Sequence, residues 1–189
     1  WAVAKIGAVV VPMSTLLLEK AMQSLLQDSD SVLLITNASF ADQINAIKSE
    51  LTAISEDRYL ITDSSDMPGY QDYHALKATV GDQEPEGIAI HEDDPFNIMY
   101  SSGTTGLPKG IIHTHRIRAA YATTFAAAYR MTPETINLHA GAIVFNGAFV
   151  DLMPTVFVGA TYILLNQFEP NSYIETIERE KVTHIIVVR

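Results

Sequence analysis

The chain has 189 residues, 48% of them hydrophobic, so roughly 70% of its unfolded surface can be buried, enough for one domain or a piece of a larger one. Its formal net charge of −10 argues against a general nucleic-acid binder. It has no cysteine, which excludes disulfides, zinc–thiolate sites and thiol chemistry and is compatible with a reducing compartment.

Trp1 to Ile6 reads as the last turns of a helix stopped at Gly7, and Ala8-Val9-Val10-Val11 as an apolar strand closed by Pro12. Leu17, Leu18, Ala21, Met22, Leu25 and Leu26 repeat at one-face spacing and predict an amphipathic helix. Val32 to Ile35 predicts a strand, Phe40, Ile44, Ile47 and Leu51 a helix, and Arg58 to Thr62 a third strand. This alternation predicts an α/β fold of βαβ units, with mostly parallel sheets flanked by helices. Asp63 to Gly69 has turn composition, and Tyr70 to Ala78 gives a weak helical signal. The stretch 81–95 carries six acidic residues and no Lys or Arg, and reads as a solvated connector.

Phe96 to Tyr100 predicts a buried strand, after which the chain changes character at Ser101-Ser102-Gly103-Thr104-Thr105-Gly106-Leu107-Pro108-Lys109-Gly110. The glycines free the backbone, four hydroxyls can donate hydrogen bonds, and Lys109 adds one positive charge. Such a set suits a polyphosphate, the alternative being a flexible surface turn. It is not a Walker A loop, because no Gly-Lys-Ser/Thr closes it. Ile111-Ile112 then predicts a second strand, so that the string turns a hairpin.

After His113-Thr114-His115-Arg116, an Ala-rich stretch to Tyr129 predicts a helix. His113 and His115, without nearby carboxylates or thiols, read as structural, so no metal site is assigned. Arg116 and Arg118 read as a solvated helix face, although with Lys109 they concentrate positive charge near the string. Residues 139–165 are strongly apolar, but glycines, Pro154, Asn146 and Asp151 interrupt them, which predicts strand, loop, helix and the strand Ala160 to Leu165 and not a membrane span. Asn171 is the expected cap of a last helix that carries Ile174, Ile177 and a Glu175–Arg179 pair. Val182 to Val188 is the expected closing strand. Because the chain opens at Trp1 inside a helix and stops directly after an apolar run, it is expected to be a fragment.

The string from Tyr100 to Gly110 resembles the phosphate-binding signature of the adenylate-forming superfamily, Tyr-Thr-Ser-Gly-Thr-Thr-Gly-x-Pro-Lys-Gly. Only Ser101 departs from it, and Ser keeps the hydroxyl. Lys5 to Pro12 and Asp28-Ser29-Asp30 are similar to earlier steps of that family, and a family His sits where His115 is. Phe145-Asn146-Gly147 resembles its second recognition segment, with Phe145 where many members have His. Phe168-Glu169-Pro170 and the run from Ile177 to His184 are similar to the acyl-CoA synthetase, or fatty-acid–CoA ligase, branch.

The resemblance implies part of the large N-terminal domain of an adenylate-forming enzyme: 1–80 a first βαβ portion, 81–95 the connector, 96–115 the phosphate-loop hairpin and 116–189 the acyl-pocket portion. It implies ATP-dependent conversion of a fatty or medium-chain acid into an acyl-adenylate and then a CoA thioester, with ATP, Mg²⁺ and coenzyme A as cofactors or substrates. Ser101, Ser102, Gly103, Thr104, Thr105, Gly106 and Lys109 would meet the ATP phosphates, and Phe145, Asn146 and Gly147 the acyl-adenylate. Phe145 can wall a pocket but cannot transfer a proton as His does. The alternatives are an amino-acid or aryl-acid adenylation domain feeding a carrier protein, or a degenerate nucleotide-binding module. The family's adenine and ribose segments and its C-terminal domain with the catalytic lysine have no counterpart in these residues, so the chain alone is expected to be inactive. The parent is expected to be cytoplasmic, with peripheral membrane association open and no nucleic-acid partner.

Overall fold

The computed structural model describes residues 1–101 and 109–187. The chain forms two compact units, Trp1–Ser14 with Ala89–Arg189, and Thr15–Ile88. The first helix, α1 (Ala2–Lys5), ends ahead of Gly7, whose φ of 72° stops it where the glycine predicts. The expected strand over Ala8 to Val11 is a correction: only Val10 pairs, in a single parallel bridge with Asn97. Val10 donates to the Phe96 carbonyl at 3.2 Å, and its own carbonyl accepts from Ile98 N–H at 3.0 Å.

The unit Thr15–Ile88 is built from βα steps. Helix α2 (Glu19–Asp28) buries Met22, Leu25 and Leu26 and carries Glu19 in its first turn, where a negative charge suits the helix dipole. Leu17 and Leu18, expected on that face, precede the helix, and Leu18 is exposed. Strand β1 (Leu34–Thr36) starts two residues later than its apolar run, leaving Val32 and Leu33 exposed. Asn37 caps a short 3₁₀ turn leading into α3 (Ala41–Ile47), which buries Ala41, Ile44 and Ile47. Strands β2 (Tyr59–Ile61) and β3 (Gln71–Asp72) complete a parallel sheet ordered β1-β2-β3. The helix expected from Tyr70 begins only at α4 (Tyr73–Ala78), because Gln71 and Asp72 pair with β2 and the Asp72 carboxylate caps the helix through His74 and Ala75 N–H. Lys48 sits 4.1 Å from the Tyr59 ring centroid and donates to the Gly69 carbonyl at 2.6 Å.

In the other unit, β4 (Pro95–Ser101) and β5 (Lys109–Thr114) form the predicted antiparallel hairpin. Thr114 caps α5 (His115–Ala128), its hydroxyl accepting from Ile117 N–H at 3.3 Å. Then follow β6 (Ile136–Ala140), α6 (Asn146–Val158), β7 (Thr161–Leu165), α7 (Pro170–Glu180) and β8 (His184–Ile185), with a parallel sheet ordered β7-β6-β8. Helix α5 packs on α6, and Phe96, Met99, Ala122, Ala148, Phe149 and Met153 form one core cluster with Ala4. Burying each larger member stabilises by about 1.5–3 kcal/mol.

Three expectations at the C-terminal end are corrected. Glu169, not Asn171, caps α7, its carboxylate accepting from Asn171 and Ser172 N–H, with Pro170 in the first turn. Arg179 pairs with Glu180 at 2.8 Å and not with Glu175, and the buried residues are Tyr173 and Thr176 while Ile174 is exposed. The closing strand is confined to β8, and Val188 lies outside the described residues. Among the described residues no helix is long and apolar enough to cross a membrane.

Candidate functional site

The β4–β5 hairpin brings Ser101 and Lys109 together as paired residues at the end where residues 102–108 connect the strands, both exposed. Ser102, Gly103, Thr104, Thr105 and Gly106 lie outside the described residues. Behind that end, Gly110 pairs with Tyr100, and a Cβ at Gly110 would meet the Tyr100 ring at 3.1 Å and Ile98 at 3.1 Å. The glycine lets the two strands pair beside a large ring.

The connector is tied to this hairpin at its last residues. Arg116 reaches Glu92 at 2.6 Å and Asp93 at 3.0 Å, and His115 N–H donates to the Asp94 carbonyl at 3.1 Å. The Arg116 guanidinium holds the Asp93 carboxyl below its ordinary range. The stretch is exposed through Asp93, as expected, yet its end is fixed to the start of α5.

Arg118 corrects the solvated-face expectation. It is 1% exposed, and its neighbour on the same helix, Arg116, is exposed. Its Nε donates to Asn97 Oδ1 on β4 at 2.8 Å, and one terminal nitrogen donates to Asn146 Oδ1 at the start of α6 at 2.9 Å. The other terminal nitrogen meets Met99 Sδ at 3.4 Å, and the guanidinium lies 4.3 Å from the Phe149 ring centroid. Burial lowers its pKa to about 10, so it stays a cation at neutral pH. His113, buried beside it, is held below the usual histidine range by desolvation first and by the Arg118 charge second. Among the described residues no three His, Asp or Glu side chains gather as cation ligands.

The second predicted segment divides. Phe145 occupies the extended position before α6 and is 55% exposed, whereas Phe149 is core. Asn146, the first residue of α6, accepts from Arg118 and donates to Tyr121 Oη at 2.9 Å. Gly147 follows as the second residue of the helix, half-buried. The structure thus brings Asn146 onto the strand that leads to Ser101, through Arg118 and Asn97.

Sequence reasoning missed Arg118 and Asn97. The signal was present: Arg118, Ala122 and Ala126 recur every four residues and are the buried residues of α5. It also missed a polar cluster farther along α6, where Asp151 is 2% exposed. Tyr162 Oη donates to Asp151 Oδ1 at 3.5 Å, and His139 Nδ1 lies 3.8 Å from Oδ2. Burial, reinforced by the Asp151 charge, pushes the Tyr162 phenol well above its ordinary pKa.

The AMP-binding enzyme family model matches residues 1–189. The chain belongs to the AMP-binding enzyme family. Among curated members, the long-chain-fatty-acid–CoA ligase FadD13 of Mycobacterium tuberculosis is 30% identical over 179 residues, covering 95% of this chain and 34% of that ligase. The indoleacetate–CoA ligase of Aromatoleum aromaticum is 27% identical over 194 residues, covering 100% of this chain and 36% of that ligase. Among solved structures, the inhibitor-bound N-terminal domain of FACL13 from Mycobacterium tuberculosis superposes with a TM-score of 0.78 at 28% identity, covering 97% of this chain and 44% of that one. ATP-bound MatB from Rhodopseudomonas palustris gives 0.77 at 25% identity, covering 97% and 35%. The fold is therefore that of part of the N-terminal domain of adenylate-forming enzymes, and the chain spans about a third of the length of these two CoA ligases.

Proposed function

We propose that this chain is the phosphate-binding and acid-facing part of an ATP-dependent acid–thiol ligase acting on a fatty or medium-chain acid. In that reaction a carboxylate oxygen attacks the α-phosphorus of ATP, the bond to the β-phosphate breaks, and an acyl-adenylate and pyrophosphate form. The sulfur of coenzyme A then attacks the acyl carbon and AMP leaves. The observation that carries the reading is the hairpin end at which Ser101 and Lys109 pair, so that the two ends of the signature string stand side by side. Lys109 is exposed there, and its ammonium suits the charge that develops on departing pyrophosphate. Thr104 and Thr105 are assigned to the same phosphates, and Ser101, Ser102, Gly103 and Gly106 to the turn, by the family signature. Phe145 is the exposed aromatic that opens the acid-facing segment, and Asn146 and Gly147 follow it as the first residues of α6. The described residues gather no acidic cage for Mg²⁺. An aryl acid is the second reading, favoured by the similarity to the indoleacetate–CoA ligase.

The test is acid-dependent ATP–pyrophosphate exchange by an intact ligase that carries this chain, across fatty and aryl acids. The expected result is exchange with one acid class that falls about a hundredfold or more in Lys109→Ala. Exchange that Lys109→Ala leaves unchanged would overturn the assignment of Lys109, and no exchange with any acid would overturn the activity.

A further inference from the structure

We propose that the cavity between β6, β8 and the middle of α6 is a binding site for a primary alkylammonium compound, a ligand that no step of the acid-activating reaction requires.

The site begins with three hydrogen-bond acceptors. Asn137 and His139 lie two residues apart on β6 and so share one face of the sheet, and Asp151 comes to them from α6. All three residues are more than nine-tenths buried. Asn137 Oδ1, His139 Nδ1 and Asp151 Oδ2 have no hydrogen-bond partner among the described residues. The orientation of the Asn137 amide follows from its neighbour. The Thr155 hydroxyl donates to the Asp151 carbonyl at 2.6 Å, so it accepts from Asn137 Nδ2 at 3.0 Å and leaves Asn137 Oδ1 open. His139 Nδ1 and Asp151 Oδ2 stand 3.8 Å apart, too far for a hydrogen bond, so neither satisfies the other. The second carboxylate oxygen of Asp151 is engaged by Tyr162 Oη at 3.5 Å.

A buried carboxylate with an open oxygen calls for a donor, and best for a cationic one. A primary ammonium has three N–H donors and no acceptor. That number matches two oxygens and, with the ring proton on Nε2, the Nδ1 of His139. A hard metal ion takes six or more oxygens, and among the described residues no three His, Asp or Glu side chains gather to hold any cation of that kind. The cavity gives room for the rest of the molecule. Asn137 and Asp151 line a space of about 520 Å³ together with Met131, Ile185, Ile186 and Val187. This volume is within the range of small-molecule sites, and the aliphatic wall suits an alkyl chain. Thr183 and His184, also in the wall, bond to each other at 2.8 Å, and His184 Nε2 meets the Tyr129 carbonyl at 2.9 Å, so their polar atoms are already engaged. No lining residue belongs to the phosphate-binding string or to Phe145-Asn146-Gly147.

The experiment is isothermal titration calorimetry on an intact ligase carrying this chain, without acid or ATP, with hexylammonium, hexyltrimethylammonium and 1-hexanol. The trimethyl compound keeps the charge without N–H donors, and the alcohol keeps the chain without the charge. Hexylammonium is expected to bind once per chain and at least about tenfold more tightly than either. The methyl resonance of Met131 is expected to shift as it binds. Asp151→Asn keeps the shape of the side chain and is expected to weaken hexylammonium at least about tenfold while leaving hexanol unchanged. If Asp151→Asn does not fold, the three ligands and the Met131 signal decide without it. No binding of hexylammonium would overturn the proposal, whether water or another side chain of the ligase fills the cavity. Equal affinity for all three ligands, an unmoved Met131 signal, or a folded Asp151→Asn with wild-type affinity would overturn it as well.

Discussion

Tyr59 has a ring that is 1% exposed and a hydroxyl with no hydrogen-bond partner among the described residues. An unsatisfied buried hydroxyl lowers stability, so deleting it costs little. Tyr59→Phe is expected to change the unfolding free energy at neutral pH by less than about 1 kcal/mol, in urea melts beside the wild type. The Lys48 ammonium stacked on that ring keeps its partner in Phe. Arg118 is the opposite case, a buried polar group with its donors engaged. Composition does not separate Arg118 from Arg116, because both are cationic residues near the start of one Ala-rich helix. What separates them is angular position. Arg118 shares its stripe with Ala122 and Ala126, the buried residues of α5, and from that stripe its guanidinium reaches Asn97 on β4 and Asn146 on α6. Phe145 and Phe149 separate for another reason: Phe145 is extended ahead of α6, whereas Phe149 lies within the helix and joins the core cluster.

The elements with strong local signals appear where their residues predict them. Helix α6 ends at Gly159, whose φ of 73° allows Gly159 N–H to reach the Val156 carbonyl and Ala160 N–H to reach that of Thr155. A Cβ at Gly159 would meet nothing within 4 Å, so the cost of a side chain is conformational and not steric. Gly159→Ala is therefore expected to lower the unfolding free energy by about 1 kcal/mol, and Gly159→Asn by less. Equal stability of the Ala variant in thermal and urea melts would contradict a left-handed cap. Short apolar runs were less legible. Ala8 to Val11 supplies a single bridge, and the described residues of the run from Val182 only β8, because a strand is defined by the neighbour it pairs with, and these residues find few partners. The cap of α7 moved from Asn171 to Glu169 because Pro170 fixes the first turn and leaves the free N–H groups within reach of the earlier side chain.

Across the whole molecule, buried phenols recur in both units. Burial raises the pKa of Tyr59 and Tyr70 in the unit Thr15–Ile88 and of Tyr162 and Tyr173 in the other. A phenol whose folded pKa lies above its unfolded value, near 10, contributes stability that is complete below that value. The contribution is lost as pH rises through the folded one. The urea midpoint of the chain is thus expected to hold up to about pH 9 and to fall steeply by about pH 11, with the tyrosinate absorbance of these four phenols appearing together with unfolding. Tyr59→Phe should soften that fall. Local patterning alone determined the parallel βα order, the hairpin around the signature string, and the family, since helix and strand periods, turn chemistry and the run from Tyr100 to Gly110 are short-range properties of the chain. Tertiary structure decided which of two neighbouring arginines is buried and that Asn97, Arg118 and Asn146 meet. Their contacts join residues 21 and 28 positions apart, and no local pattern encodes which stripe of a helix its neighbours will cover.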